Sequence, residues 1–399
     1  MQADSCKLSS QVAAAAWPEA TTRNGSVCRR RLAGRPRPTW RLAWAVAALL
    51  AGAAACRGAT APAPCGGLPS VSGWTSLGPP GETITAIAVT ASGLLIGTLH
   101  DGVWRYDSCV GGWVASGLAG RVITSITALR PPSQRLLVTA TPYQPPSRAP
   151  PETISAVVYA SDDQGRTWYP HDGGLSAQRG YYGYAMGLAF DSSNANRLYL
   201  ASVGAVMRSL DGGATWTAAW GDPRNFIVTF WSVAVSTLEA GRVWAGGYGG
   251  EFALLGRSDD GGSTWQAVSP SPYPEDVVYA IAPDPAAEAR IYVGMASGVH
   301  ETEDGGATWR WALSLSLPGP VTGLAFLGDT LFAVANLLVP NSVPTTTVLG
   351  FYRTRDHGLT WDTLPAPPTV HGAGALAISP DHIAFIGTLS GGVWAVPLQ

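Results

Sequence analysis

The chain has 399 residues, including 48 glycines, 31 prolines and 16 tryptophans, and only 13% are charged. That balance excludes a disordered chain and a coiled coil, and fits an all-β protein rich in tight turns and aromatic packing. Eight of the 25 basic residues precede Cys56, so from Cys56 onward 17 basic residues face 25 acidic ones; an acidic surface of this kind excludes nonspecific nucleic-acid binding, whose affinity comes from Lys and Arg neutralising phosphates.

Residues 1–56 read as an export signal. A basic stretch with Arg29, Arg30 and Arg31 leads into an apolar run from Leu42 to Ala55, closed by small residues before Cys56. The run is shorter than the about 20 residues a membrane-spanning helix needs, which favours cleavage over a permanent anchor. "AGAAAC" also resembles a bacterial lipobox, with Ala53 where leucine is usual. Two readings stand side by side: an exported protein attached to the membrane through lipid on Cys56, or a secreted one cut near Ala55 or Ala61, with Arg29 to Arg31 as a twin-arginine cue. The basic region is long for a signal, so translation starting downstream, for instance at Val27, is a third open point. Residues 57–72 read as a short linker. Cys65 and Cys109 then form an even pair in an oxidising compartment, and a disulfide between them is expected. Without a CxxC or histidine partners, neither metal nor cofactor is expected.

From residue 73 the chain is a repeat. The frame hydroxyl-x-Asp-x-Gly-x-Thr-Trp occurs as SDDQGRTW (161–168), SLDGGATW (209–216), SDDGGSTW (258–265), TEDGGATW (302–309) and TRDHGLTW (354–361). Successive tryptophans lie 44 to 52 residues apart, about the period of a four-stranded propeller blade. Short apolar runs such as "AMGLAF" and "LYLASVG" precede each octet and read as strands. A degenerate copy spans 84–113, and residues 374–399 supply three strands of a final unit whose fourth strand, starting at Trp74, lies at the other end of the repeat region. The expectation is a seven-bladed β-propeller over 73–399, with four-stranded blades and a ring closed by the N-terminal strand in the last blade, which removes exposed sheet edges.

The octet resembles the Asp-box, or BNR repeat, of sialidases, sortilin-type receptors, xyloglucanase-type glycoside hydrolases and photosystem II assembly factors. The resemblance implies the fold but no single chemistry. Read from its residues, each octet is a hairpin device. Asp163, Asp211, Asp260, Asp304 and Asp356 accept hydrogen bonds from their own turns, while Trp168, Trp216, Trp265, Trp309 and Trp361 wedge between blades. One or two acids per turn cannot fill the six to eight oxygen ligands of calcium.

A binding site is therefore expected on the opposite face, in the irregular connections. The candidates are Glu82, Asp101, Arg121, His171, Asp172, Arg179, Tyr182, Asp222, Arg224, Tyr248, Glu251, Tyr273, Glu275 and Asp276, with His100, Trp220 and His371 beside them. Aromatic and acidic groups together suit sugars, whose C–H faces stack on rings while their hydroxyls reach carboxylates. Two functions compete. One is an extracytoplasmic, monomeric, non-catalytic propeller that binds a protein or glycan through its central face. The other is a glycoside hydrolase of xyloglucanase or sialidase type, which needs two carboxyls about 5 to 5.5 or 6.5 to 9.5 Å apart; the sialidase form lacks its Arg-Ile-Pro motif.

Overall fold

The computed structural model describes residues 67–129, 135–142, 157–173, 175, 184–225, 227–250, 252–271, 276–317, 319–339, 346–367, 370 and 372–398. The export signal and Cys56 lie outside them. Cys109 is disulfide-bonded, and the four other cysteines all fall within residues 1–66, also outside the described residues.

Among the described residues, 28 strands form seven four-stranded antiparallel sheets without a helix. Their inner strands are Ile84–Thr90, Arg121–Ala128, Ala185–Asp191, Val228–Val235, Val278–Pro283, Val321–Leu327 and Ala373–Ile378, which define blades 1 to 7. Each packs against the next, and that of blade 7 against that of blade 1. In blades 1 to 6 the next three strands follow outward in chain order. Blade 7 departs from this: its outermost strand is Thr75–Gly78, paired with Val393–Pro397. The molecule is the seven-bladed propeller that the repeat spacing predicts, closed by its N-terminal strand. Residues 67–72 join the packing too, for Gly67 pairs with Gly93, and Leu68 and Val71 sit in the seam between blades 7 and 1.

Seven apolar clusters hold the ring together, one per seam between blades, and each contains one of seven tryptophans: Trp168, Trp216, Trp265, Trp309, Trp361, Trp74 and Trp113. Second-strand glycines let blades close in. A Cβ on Gly97 would meet Ile123 at 2.5 Å, one on Gly246 Val278 at 2.6 Å, and one on Gly387 Ile84 at 2.5 Å. In each case the side chain of the following blade fills the space a methyl group would take, the close interdigitation native interiors require.

The octets form the turns between third and fourth strands. In the copy at 209–216, Ser209 Oγ donates to Asp211 Oδ1 at 2.8 Å and accepts from Gly213 N at 2.8 Å, while Thr215 donates its N–H to Oδ1 (2.8 Å) and its hydroxyl to Oδ2 (2.6 Å). The same four bonds recur around Asp163, Asp260, Asp304 and Asp356. The hydroxyl and N–H of Thr360 hold the Asp356 carboxyl at about 2, well below its usual value. The fifth position is always glycine for a backbone reason. Gly213 has φ +95°, and a Cβ there would lie 2.9 Å from His171 Cδ2.

Candidate ligand-binding face

First and third strands of a blade run in the same direction, so the inner strands end on the octet face and begin on the opposite one. Their beginnings share a second, subtler repeat: ITAIAV (84–89), ITSITA (123–128), AMGLAF (185–190), FWSVAV (230–235), VYAIAP (278–283), VTGLAF (321–326) and AGALAI (373–378). The first residue of each is buried: Ile84, Ile123, Ala185, Phe230, Val278, Val321 and Ala373. Immediately after it, the pairing register slips by one in all seven strands. A bulge of this kind bends a strand and re-aims one side chain. Seven bulged residues thereby form a ring round the axis near its mouth: Thr85, Thr124, Met186, Trp231, Tyr279, Thr322 and Gly374.

The ring divides into two arcs. Thr85, Thr124 and Thr322 each donate a hydroxyl proton to the carbonyl of the buried residue one blade on, namely Ile123 O, Ala185 O (2.7 Å) and Ala373 O (3.1 Å). Gly374 leaves no room for even a methyl group, since its Cβ would lie 2.1 Å from Ile84 O. The three threonines stitch their seams, and Gly374 lets its seam close. Met186, Trp231 and Tyr279, on blades 3 to 5, carry side chains that cannot make that stitch through an aliphatic hydroxyl. Trp231 is 41% exposed, and its ring lies 6.4 Å from that of Tyr279, tilted by 41°. Ile227 and Phe252, 69% and 59% exposed, extend the apolar surface over the head of blade 4.

Across the axis stands blade 1. Glu82 heads its inner strand, and Asp101 lies in the turn between its second and third strands. Partial burial, followed by the charge and the hydrogen bond of Asp101, pushes the Glu82 carboxyl up from its usual value, against a smaller opposing effect of His100. Glu82 therefore releases its proton at a higher pH than a solvated glutamate does.

The remaining described candidates are held in local contacts, although Arg121 and Asp276 stand two residues before the buried first position of blades 2 and 5 as Glu82 does in blade 1. Asp172 is buried and braces the chain by accepting from Val157 N at 3.3 Å. His171 reaches the octet of blade 3, where its Nε2 lies 2.7 Å from Gly212 O. Asp276 is buried too, its Oδ2 accepting from Ser297 Oγ at 2.6 Å. Asp222 and Arg224 hold one another in a forked pair at 2.7 and 2.9 Å, which keeps the Asp222 carboxyl at about 2. Arg121 stacks over the Tyr159 ring at 5.2 Å, and Tyr248 donates its hydroxyl to Gly250 O. Trp220 is a seam residue, stacked on Trp265 at 5.2 Å. Arg179, Tyr182, Glu251, Tyr273, Glu275 and His371 lie outside the described residues.

Three clefts of about 600, 470 and 410 Å³ open elsewhere, in the seams between blades 6 and 7, 4 and 5, and 5 and 6. Their walls include outer-strand residues such as Leu364, Trp311 and Thr363. Radially arranged sheets diverge outward, so gaps of this kind follow from the architecture, and none is lined by a sequence candidate. Among the described residues no group of three or more His, Cys, Asp or Glu side chains is arranged to hold a metal.

Residues 188–366 match the model of the BNR repeat-like domain. No curated protein matches the chain in sequence. Among solved structures, the chain is similar to the GH74 xyloglucanase from Xanthomonas campestris, at 22% identity and TM-score 0.62 over 82% of this chain and 54% of that one. It is also similar to YCF48 from Cyanidioschyzon merolae, at 14% identity and TM-score 0.55 over 82% and 99%. A third likeness is to the extracellular domain of a one component system from B. thetaiotaomicron, at 12% and 0.57 over 82% and 40%. The chain spans about half the length of the xyloglucanase. Fold and repeat together make it a BNR-type seven-bladed β-propeller.

Proposed function

We propose that this is an exported, non-catalytic propeller that binds a protein or glycan ligand at the axial mouth opposite the octets. One observation carries the reading: a large, exposed Trp231 occupies a ring position that threonine fills on three other blades to stitch the seam. An apolar side chain exposed at a central opening, where the fold itself needs only a small residue, is better accounted for by a ligand than by stability. The extracellular neighbour and the acidic mature chain behind a signal-like leader support export. The test is retention of the purified full chain on immobilised glycans and on extracytoplasmic protein fractions, with Trp231→Ala beside it. Retention lost in the variant supports the mouth; retention unchanged, or none at all, overturns it. Mass spectrometry of the mature N-terminus reports whether Cys56 carries lipid or the chain is cut near Ala55 or Ala61.

A glycoside hydrolase is the second reading, favoured by Glu82. A carboxyl shifted upward beside a second acid is shifted in the direction a general acid requires, and two similar structures are GH74 enzymes by name. Against it, Glu82 and Asp101 stand together on one blade, whereas glycoside hydrolysis uses two carboxyls about 5 to 9.5 Å apart flanking the bond that breaks. Release of reducing ends from xyloglucan, abolished by Glu82→Gln, would decide for the enzyme.

A further inference from the structure

We infer that the ligand of the mouth is a neutral oligosaccharide, stacked on the arc of Met186, Trp231 and Tyr279 and turned with its hydroxyls toward Glu82 and Asp101. This rests on the axial mouth being the binding site and names the ligand class. The argument is one of chemical complementarity. In seven-fold order, blade 1 stands opposite blades 4 and 5, so the exposed apolar side chains of blade 4 lie across the axis from Glu82 and Asp101, with Asp276 buried near Tyr279 and Arg121 at the head of blade 2. A pyranose ring has the same division, with C–H groups on its faces and hydroxyl donors round its edge. Trp231 offers a π-face to the former, and the carboxyl oxygens accept from the latter. The exposed Ile227 and Phe252 continue the arc outward over blade 4, a track suited to an extended chain rather than a single sugar. The same acids exclude uronic, sulfated or sialylated chains, whose anions would face a carboxyl pair within an acidic protein.

The experiment is calorimetric titration of the full chain with neutral fragments of xyloglucan and β-glucan, and with polygalacturonate fragments as the acidic arm, for the native protein, Trp231→Ala, Tyr279→Ala and Glu82→Gln. The inference expects a neutral fragment to bind, the acidic one not, and affinity to fall about tenfold for Trp231→Ala, with a smaller fall for Tyr279→Ala and Glu82→Gln. Acidic fragments that bind as well as neutral ones overturn it, and so does Glu82→Gln indistinguishable from the native protein. If no sugar binds while a protein is retained through Trp231, the mouth stands and the glycan falls. If a sugar binds equally well to Trp231→Ala, the mouth itself is wrong. Circular dichroism and melting of each variant show whether a loss comes from unfolding.

Discussion

The two faces of this ring are built on opposite principles. On the octet face, five turns of nearly the same sequence make the same four hydrogen bonds, both carboxylate oxygens of the third-position aspartate are occupied by its own turn, and a tryptophan follows into the seam. On the other face no two connections are alike, and seven equivalent ring positions hold threonine, methionine, tryptophan, tyrosine and glycine. Repetition marks the parts that must do one job seven times. Variation at a structurally equivalent place marks the part where the job differs from blade to blade, and the sharpest variation is the pair Trp216 and Trp231, fifteen positions apart in chain but opposite in role.

The largest expected effect comes from the seam side of that contrast. Trp216 is 3% exposed among leucines and valines of blades 2 and 3. Its replacement by alanine leaves a cavity that costs about 3 to 5 kcal/mol, read as a lower urea midpoint. If the seam tolerates the change within about 0.5 kcal/mol, the scatter of a surface substitution, tryptophan is not the wedge. Next comes Gly374→Val, which forces carbon against Ile84 O where even a Cβ would sit 2.1 Å away. Overpacking of this kind costs about 1 to 3 kcal/mol, and here it strikes the seam that closes the ring. Proteolysis would find the N-terminal strand loosened first.

Acid separates the faces by sign. At Asp356 the folded carboxyl titrates at about 2, below its unfolded value, so its contribution is complete above that unfolded value and is lost as pH falls toward 2. Asp356→Asn should therefore differ from the native protein at neutral pH and converge with it in acid. Glu82 is shifted upward. Its ionisation opposes folding, so stability is undiminished below the unfolded glutamate value and declines as pH rises through the folded one. Glu82→Gln should match the native protein in acid and exceed it at neutral pH. Two variants that run parallel across the range would show that neither face holds its acid as described.

What the sequence made legible follows the distance over which each device works. Ser209, Asp211, Gly213 and Thr215 bond within six residues of one another, so the octet announces itself as a string. The period of its tryptophans then yields blade number and ring closure. The mouth is built across blades, with Thr85 reaching Ile123 O, 38 residues on, and Trp231 meeting Tyr279. Only alignment of the seven first strands exposes that position. Irregular sequence was also an imperfect sign of exposure: His171, Asp172 and Trp220 lie in irregular stretches yet serve seams and braces, because a fourth strand ends where the next blade begins.

The smallest stability effect is the most informative about function. Trp231→Ala removes a larger side chain than any other change at the mouth, yet that side chain is 41% exposed and meets the next blade through the Tyr279 ring rather than a hydrogen bond, so the stability should fall by only about 1 kcal/mol. Ligand retention should fall about tenfold at the same time. Trp216→Ala should do the reverse, lowering stability while leaving the affinity of the folded fraction intact. The converse substitution, Trp231→Thr, installs the residue used by blades 1, 2 and 6 and should stabilise the seam between blades 4 and 5 while abolishing binding. A protein that gains stability as it loses its ligand has given up packing at that one position for function; a Trp231→Thr variant that is merely destabilised would place Trp231 with the other seam tryptophans and remove the ground for a mouth.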